Sequence, residues 1–319
     1  MTAPTKNGVS INLGDATIYL TVLVLLVLNT ILQPSFIQAS NLLYLLGTSL
    51  PLVFAAAAQG IVMLTSSIDL ASGSVISLTN VIIVVLIGHG SAASVLLATL
   101  AGIALGVVAG LFTALVRLPS IIVTLALSAV WAGVALYVLP TPKGGIPDSF
   151  GNLTSGYAPL WWSLALIALW LWLARTRFGK RIYAVGSSEN AAYTAGIPVV
   201  GTKIAVFAIA GLLLALGGLM LSATTSGGDP LSGASITLEA IAAAVLGGVS
   251  FQGGKGSLIG AVFGALALTL INSLVFYTGA SAFYQRVVYG VLLVVALALS
   301  RFTARRWIRI PLPSVGSGV

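Results

Sequence analysis

RTRFGKRIYAVGSSENAAYTAG, residues 175–196, is the one long internal stretch of this chain too polar to sit in lipid. It carries four of the fourteen Lys and Arg residues, and the sequence on both sides of it is apolar. Only 6% of the 319 residues are charged and 58% are hydrophobic, with a mean hydropathy of +1.11. No water-soluble surface can be assembled from that composition. The expected fold is therefore all-α, a polytopic integral membrane protein in which 175–196 is the principal soluble loop.

A spanning helix needs roughly 20 apolar residues. Apolar runs bounded by breakers fall at 16–33, 41–64, 69–87, 91–116, 119–139, 158–174, 201–223, 235–249, 256–278 and 284–301. That pattern predicts about ten transmembrane helices. The run at 235–249 is short, and the one opening at Asp69 is interrupted by Ser72, Gly73 and Ser74, so short or broken helices are expected there. The organisation is an N-terminal tail over 1–15, a single membrane domain over 16–301 with a soluble loop at 175–200, and a basic tail over 302–319. No small-residue cleavage site follows the first apolar run, which reads as a retained span.

Lys and Arg close to span ends are held on the cytoplasmic side. With both termini cytoplasmic and ten crossings, twelve of the fourteen basic residues lie inside, leaving Lys143 and Arg286 outside. The 175–196 loop then faces the cytoplasm, and His89, Asp148 and Asp229 face outward. Gly102, Gly106 and Gly110, like Gly256, Gly260 and Gly264, recur every fourth residue and are read as smooth stripes for close helix packing. Trp161, Trp162, Trp170 and Trp172 are read as interfacial anchors and lipid-facing groups.

Chemistry finds little footing. Six acidic residues and one His are scattered, Cys is absent, and no nucleophile, acid–base or metal motif is formed. The net charge of +8 sits at the ends of apolar runs rather than on a soluble face interleaved with aromatics, which excludes a nucleic-acid binder. GGKGS at 253–257 lacks the Ser or Thr that must follow the lysine of a phosphate-binding loop, and Val249 stands where its first glycine should be. The chain is expected to bind no cofactor and to catalyse nothing; if ATP drives it, another chain binds the ATP. Asp69 and Glu239 are acids beside apolar runs. Each is placed to cap a helix, Asp69 with Ser72 and Ser74 assisting, or to face a gate or a polar solute.

Four blocks carry a resemblance. IDLASGSV (68–75), LPSIIVTLALSAVWAG (118–133), RTRFGKRIYAVGSSENAAYTAGI (175–197) and LEAIAAAVLGGVSFQGGKGSLIGAVFGA (238–265) are together similar, in order, to the permease subunits of ribose-type ABC importers. That family also carries other sugars, polyols and autoinducer-2. The resemblance implies a multi-pass protein of the bacterial inner membrane that forms the pathway for a sugar-like solute. Its partners would be an extracytoplasmic binding protein, a second permease copy or homologous permease, and a cytoplasmic ATPase holding ATP and Mg.

Arg177, Phe178, Gly179, Gly186, Glu189, Asn190, Ala191, Ala192 and Gly196 take the places of the family's ATPase-coupling element. Asp69, Ser72, Gly73 and Glu239 are pathway or gating candidates. Arg175, Arg177, Lys180 and Arg181 would meet either acidic groups of the ATPase or anionic lipid. Ser66 and Ser67 stand where the family commonly has glycines, Ala71 and Ser72 replace a Ser-Val pair, Ala132 replaces an Arg, and Glu239 replaces an Asp. A secondary transporter driven by an ion gradient is the alternative, suited by broken helices and Asp69. A bulky residue at Ala192 or Gly196 is expected to abolish solute-stimulated uptake while the protein is still expressed and inserted, as checked by uptake assay and membrane yield.

Overall fold

A computed structural model of the chain describes residues 13–277 together with 279, 284, 287, 290 and 291. Most of the expected span at 284–301, Arg286 and most of both expected tails lie outside the described residues. Nine apolar helices match the other nine runs: α1 (Leu13–Leu32), α2 (Ala39–Leu64), α3 (Ser72–Leu86), α4 (Ser91–Ala114), α5 (Ser120–Val138), α6 (Ala158–Arg175), then after two polar helices α7 (Arg177–Ser187) and α8 (Glu189–Thr194), α9 (Val199–Thr225), α10 (Ile236–Leu246) and α11 (Leu258–Tyr277). Seven of these are long and apolar enough to cross a membrane; Thr17–Leu32 and Ile236–Leu246 are shorter apolar helices. Two-residue strands β1 (Lys143–Gly144) and β2 (Gly227–Gly228) pair antiparallel and tie the loop after α5 to the end of α9.

Helix α9 is the hub, packing against α2, α3 and α4. The closeness of its contact with α4 explains the first glycine stripe. A Cβ on Gly106 would collide with the Phe207 carbonyl, one on Gly211 with the Gly102 carbonyl, and one on Gly110 would sit 2.9 Å from Ile204 Cα. Without hydrophobic drive between helices in lipid, such backbone-to-backbone approach supplies the dispersion contact that larger side chains would prevent. The second stripe is shorter than expected. Gly260 and Gly264 do pack on Gly247 and Ala243 of α10, but Gly256 precedes the helix, at φ +111° in the connecting loop.

The expected break also moves. Ser72, Gly73 and Ser74 form the first turn of α3, and the non-helical backbone lies before them, between Thr65 and Ala71. This segment is largely enclosed, so its N–H groups are met by partners inside the protein. The Ile68 N–H donates to Ser120 Oγ (3.0 Å), the Leu70 N–H to Thr124 Oγ1 (2.9 Å), the Ala71 N–H to Asp69 Oδ1 (2.8 Å) and the Gly73 N–H to Thr237 Oγ1 (2.9 Å). An orphaned buried group of this kind costs about 1–3 kcal/mol, so the hydroxyls on the first turns of α5 and α10 are what make the break tolerable.

A second irregular segment, 226–235, folds back along α3 rather than lying as a plain outer loop. Gly228 sits beside Val84; the Asp229 N–H donates to Asn80 Oδ1 (2.9 Å) and the Gly233 N–H to Ser77 Oγ (2.8 Å), while Gly233 and Gly73 meet backbone to backbone. From Asn80 to Gly73 is seven residues of helix, about 10 Å at 1.5 Å per residue. α10 therefore starts well inside the bundle. With 11 residues it is about 16 Å long, half of a hydrocarbon core of about 30 Å.

Two of the four tryptophans depart from the anchor reading. Trp161 and Trp172 are exposed, but Trp170 is buried against the Tyr183 ring and Trp162 packs edge-on to Phe54. A Gly106→Leu substitution is expected to force α4 away from α9, destabilising the protein by about 1–3 kcal/mol. Gly133→Leu, with nothing near its Cβ, serves as the neutral control. Thermal unfolding of the two purified variants in the same detergent checks this.

Candidate functional site

Two regions gather the residues singled out in the sequence. The first is the meeting of the two incomplete helices, where the N-terminal turns of α3 and α10 touch through Gly73 and Thr237. Asp69 lies just below it and is 5% exposed. Its carboxylate accepts from the Ala71 N–H and makes no ion pair among the described residues, so it orders the turn that opens α3. Ser72 does not assist as expected: its hydroxyl is buried with no partner among the described residues. Glu239 is half-buried in the first turn of α10 and hydrogen-bonded with Ser235. Gly73 and Glu239 thus belong to one junction, while no described hydrogen bond joins Asp69 to Glu239.

Sequence reasoning overlooked the polar residues that build this junction. Asn80 donates from Nδ2 to Ser222 Oγ (2.7 Å) and to the Gly227 carbonyl (2.9 Å) while accepting from Asp229; Ser77, Thr124 and Thr237 complete the set. An Asn in the middle of VISLTNVIIVV was the signal, since a buried amide in an apolar helix must be answered by something. The face of the segment around α10 turned away from the protein is open: Leu231, Ala234, Ser235 and Leu238 are exposed. Elsewhere an apolar groove of about 310 Å³ is lined by Leu28, Ile31, Leu32, Leu274 and Val275.

The second region is the polar stretch. α7 is capped by Thr176, whose Oγ1 accepts from the Gly179 N–H (3.1 Å), and is sharply two-faced: Ile182 and Val185 are buried, Arg177, Lys180 and Arg181 exposed, and Phe178 half-buried. Such a helix lies along an interface rather than through a membrane. α8 is capped by Ser188, which accepts from the Ala191 N–H (3.3 Å). It closes in a Schellman motif, with Gly196 at φ +77°, its N–H donating to the Tyr193 carbonyl (3.0 Å) and the Ile197 N–H to the Ala192 carbonyl (3.0 Å). Asn190, Ala191 and Thr194 are exposed, and Tyr193 is 75% exposed.

The nine residues expected in the coupling element therefore divide. Glu189, Asn190, Ala191 and Gly196 are exposed, as is Arg177, whereas Gly179, Gly186 and Ala192 are buried within this chain. A Cβ on Gly179 would strike the Leu173 carbonyl and one on Gly186 the Leu64 carbonyl. Their smallness serves internal packing, and a bulky residue at Ala192 would perturb the seating of α8 as well as its outer face.

The end of α7 is clasped. Ser66, in the left-handed region at φ +57°, has its hydroxyl 2.8 Å from the Gly186 carbonyl and 2.8 Å from the Gln252 carbonyl, which share its one proton. The Gly254 N–H donates to the Leu64 carbonyl (3.0 Å), and Tyr183 Oη to the Gly256 carbonyl (2.8 Å). The left-handed conformation costs a non-glycine residue roughly 1–2 kcal/mol, of which the serine hydroxyl's shared hydrogen bond offsets about 1 kcal/mol. The GGKGS loop is accordingly a structural clasp joining α2, α7 and α11. Among the described residues no group of three or more His, Cys, Asp or Glu is placed to hold a metal ion.

Comparison with known proteins identifies the family. Residues 41–297 match the family model described as branched-chain amino acid transport system / permease component. The chain is 33% identical to the ribose import permease protein RbsC of Bacillus subtilis (strain 168), over 92% of this chain and 94% of that one. It is 34% identical to the ribose import permease protein RbsC of Escherichia coli (strain K12), over 86% and 90%. Identity to the galactose/methyl galactoside import permease protein MglC of Escherichia coli (strain K12) is 28%, over 94% and 97%. No solved structure matches the chain. A Gly186→Val substitution is expected to open the clasp, raising amide exchange in 250–257 at least about tenfold, whereas Gly196→Val leaves that segment protected; hydrogen-exchange mass spectrometry reads both.

Proposed function

The chain belongs to the family of branched-chain amino acid transport system permease components, and from that premise we propose that it is the transmembrane subunit of an ATP-driven importer of a sugar or sugar-like solute. It is a multi-pass protein of the bacterial cytoplasmic membrane. The observation that carries the reading is similarity to sugar import permeases along nearly the whole chain, including the blocks that build both regions above. In this reading the permease is not catalytic and binds no cofactor; ATP and Mg sit on a cytoplasmic ATPase, and an extracytoplasmic binding protein delivers the solute.

The face bearing α7 and α8 is then cytoplasmic. The exposed edge of α8, with Asn190, Ala191, Tyr193 and Thr194, is the part that enters a groove on the ATPase. Its exposure supports this, since a capped helix with a 75%-exposed tyrosine has contact area to offer a partner. The exposed basic residues of α7 lie beside it, positioned for lipid headgroups or for acids of the ATPase. Behind α8, the clasp at Ser66 and Gly186 leads to the break at Asp69 and so to the junction of α3 and α10. Asp69, Ser72, Gly73 and Glu239 are accordingly the gating set. The open face at Leu231, Ser235 and Leu238 is covered by a second permease copy or a homologous permease, and the solute passes between the two.

An ion gradient as the driving force finds no support in these relatives. The decisive experiment reconstitutes the chain in liposomes, using radiolabelled ribose and galactose as probes. Uptake is expected only with ATPase, ATP and binding protein all present, and accumulation by the chain alone under an ion gradient would overturn the assignment. Tyr193→Arg is expected to lower copurification of the ATPase at least about tenfold, a loss of roughly 1.4 kcal/mol, without altering thermal stability.

A further inference from the structure

Lys203 stands apart from the other described basic residues. Every other described Lys and Arg side chain is exposed, but Lys203, in the first turns of α9, is buried, and it forms the one ion pair among the described residues, with Glu189 at the start of α8. A buried ammonium is tolerated only where a partner compensates its lost hydration, and the pair is correspondingly costly to break from one side. α8 is short and packs chiefly on α7 and α9. Its junction with α7 is the single residue Ser188, so the ion pair is the polar fastening between α8 and the membrane-embedded helices.

What the pair fastens to matters more than its strength. α9 has 27 residues, about 40 Å, and packs along α2, α3 and α4. Directly after its last turn the chain enters β2 and the 226–235 segment, which descends along α3 to Gly73 and delivers α10. A displacement of α8 passed to Lys203 therefore reaches the junction of the incomplete helices through one stiff element.

We propose that Lys203 is a positioning residue that transmits movement of α8 into α9 and from there to the α3–α10 junction. The proposal rests on the reading of α8 as the ATPase-docking helix. Its test exploits the absence of cysteine from the chain, which lets single Cys substitutions carry spin labels without background from this subunit. Labels at Ala195→Cys, exposed at the C-cap of α8 and outside its docking edge, and, separately, at Leu231→Cys beside α10 report distances between copies in nanodiscs holding permease and ATPase, with and without ATP plus vanadate.

In the otherwise unmodified protein both distances are expected to shift on trapping. With Lys203→Met, the Ala195 shift is retained and the Leu231 shift is lost. The reversed pair, Lys203→Glu with Glu189→Lys, restores the Leu231 shift, which a purely structural loss would not allow. If Lys203→Met fails to fold, the reversed pair against Glu189→Gln alone makes the same comparison. A Leu231 shift that persists without the ion pair, or that is absent from the unmodified protein while Ala195 moves, overturns the proposal. Failure of the ATPase to assemble on the unmodified permease, or a motionless Ala195, instead overturns the docking reading beneath it.

Discussion

Every peptide group removed from both water and a helix must find a hydrogen bond within the protein, and the architecture follows from where that requirement is met. Helices satisfy it locally, so nine apolar stretches can form with little regard to one another. The segments 65–71 and 226–235 cannot, and they persist because Ser120, Thr124, Thr237, Ser77 and Asn80 supply oxygens where backbone N–H groups emerge. These side chains come from α3, α5 and α10, so the two irregular segments and three helices form a single unit: no member can be repositioned without leaving donors unpaired. The cost of the breaks is thereby converted into a specific arrangement of helix starts, both in the interior of the bundle.

The opposite kind of constraint governs the face that carries α7 and α8. There the elements are joined by carbonyls accepting from Ser66, Tyr183 and the Gly254 N–H, with glycines at the points of closest approach. Backbone acceptors in place of side-chain pairs make this clasp insensitive to most surrounding substitutions but intolerant of an added Cβ at Gly186. Ser66 holds its left-handed turn with a hydroxyl anchored on backbone carbonyls, a bond that a glycine there would lack.

Legibility in the sequence followed the range of the interactions involved. Apolar run length located the helices because hydrophobic thickness is a property of each segment alone, and the abbreviated length of α10 was visible for the same reason. Ser188 and Gly196 close the two ends of α8 through local hydrogen bonds, a signal that stretch carries without reference to the rest of the chain. The break before α3 was displaced by a few residues in that reading, since Ser72 and Gly73 look like punctuation but are held helical by a hydroxyl 164 residues away. The re-entry of 226–235 was hidden altogether: its Gly, Ser, Asp and Pro content reads as an ordinary loop, and only the partners on α3 draw it inward. Gly256 looked like part of a helical stripe because spacing records periodicity and not φ.

The contact between Gly73 and Gly233 places bare backbone against bare backbone at the point where the two incomplete helices meet. Where helix surfaces interlock through side chains, moving one past another requires rotamers to disengage in concert. Here there are no teeth. Resistance to movement along this seam therefore rests on the hydrogen bonds of Gly73 with Thr237 and of Gly233 with Ser77, and not on packing.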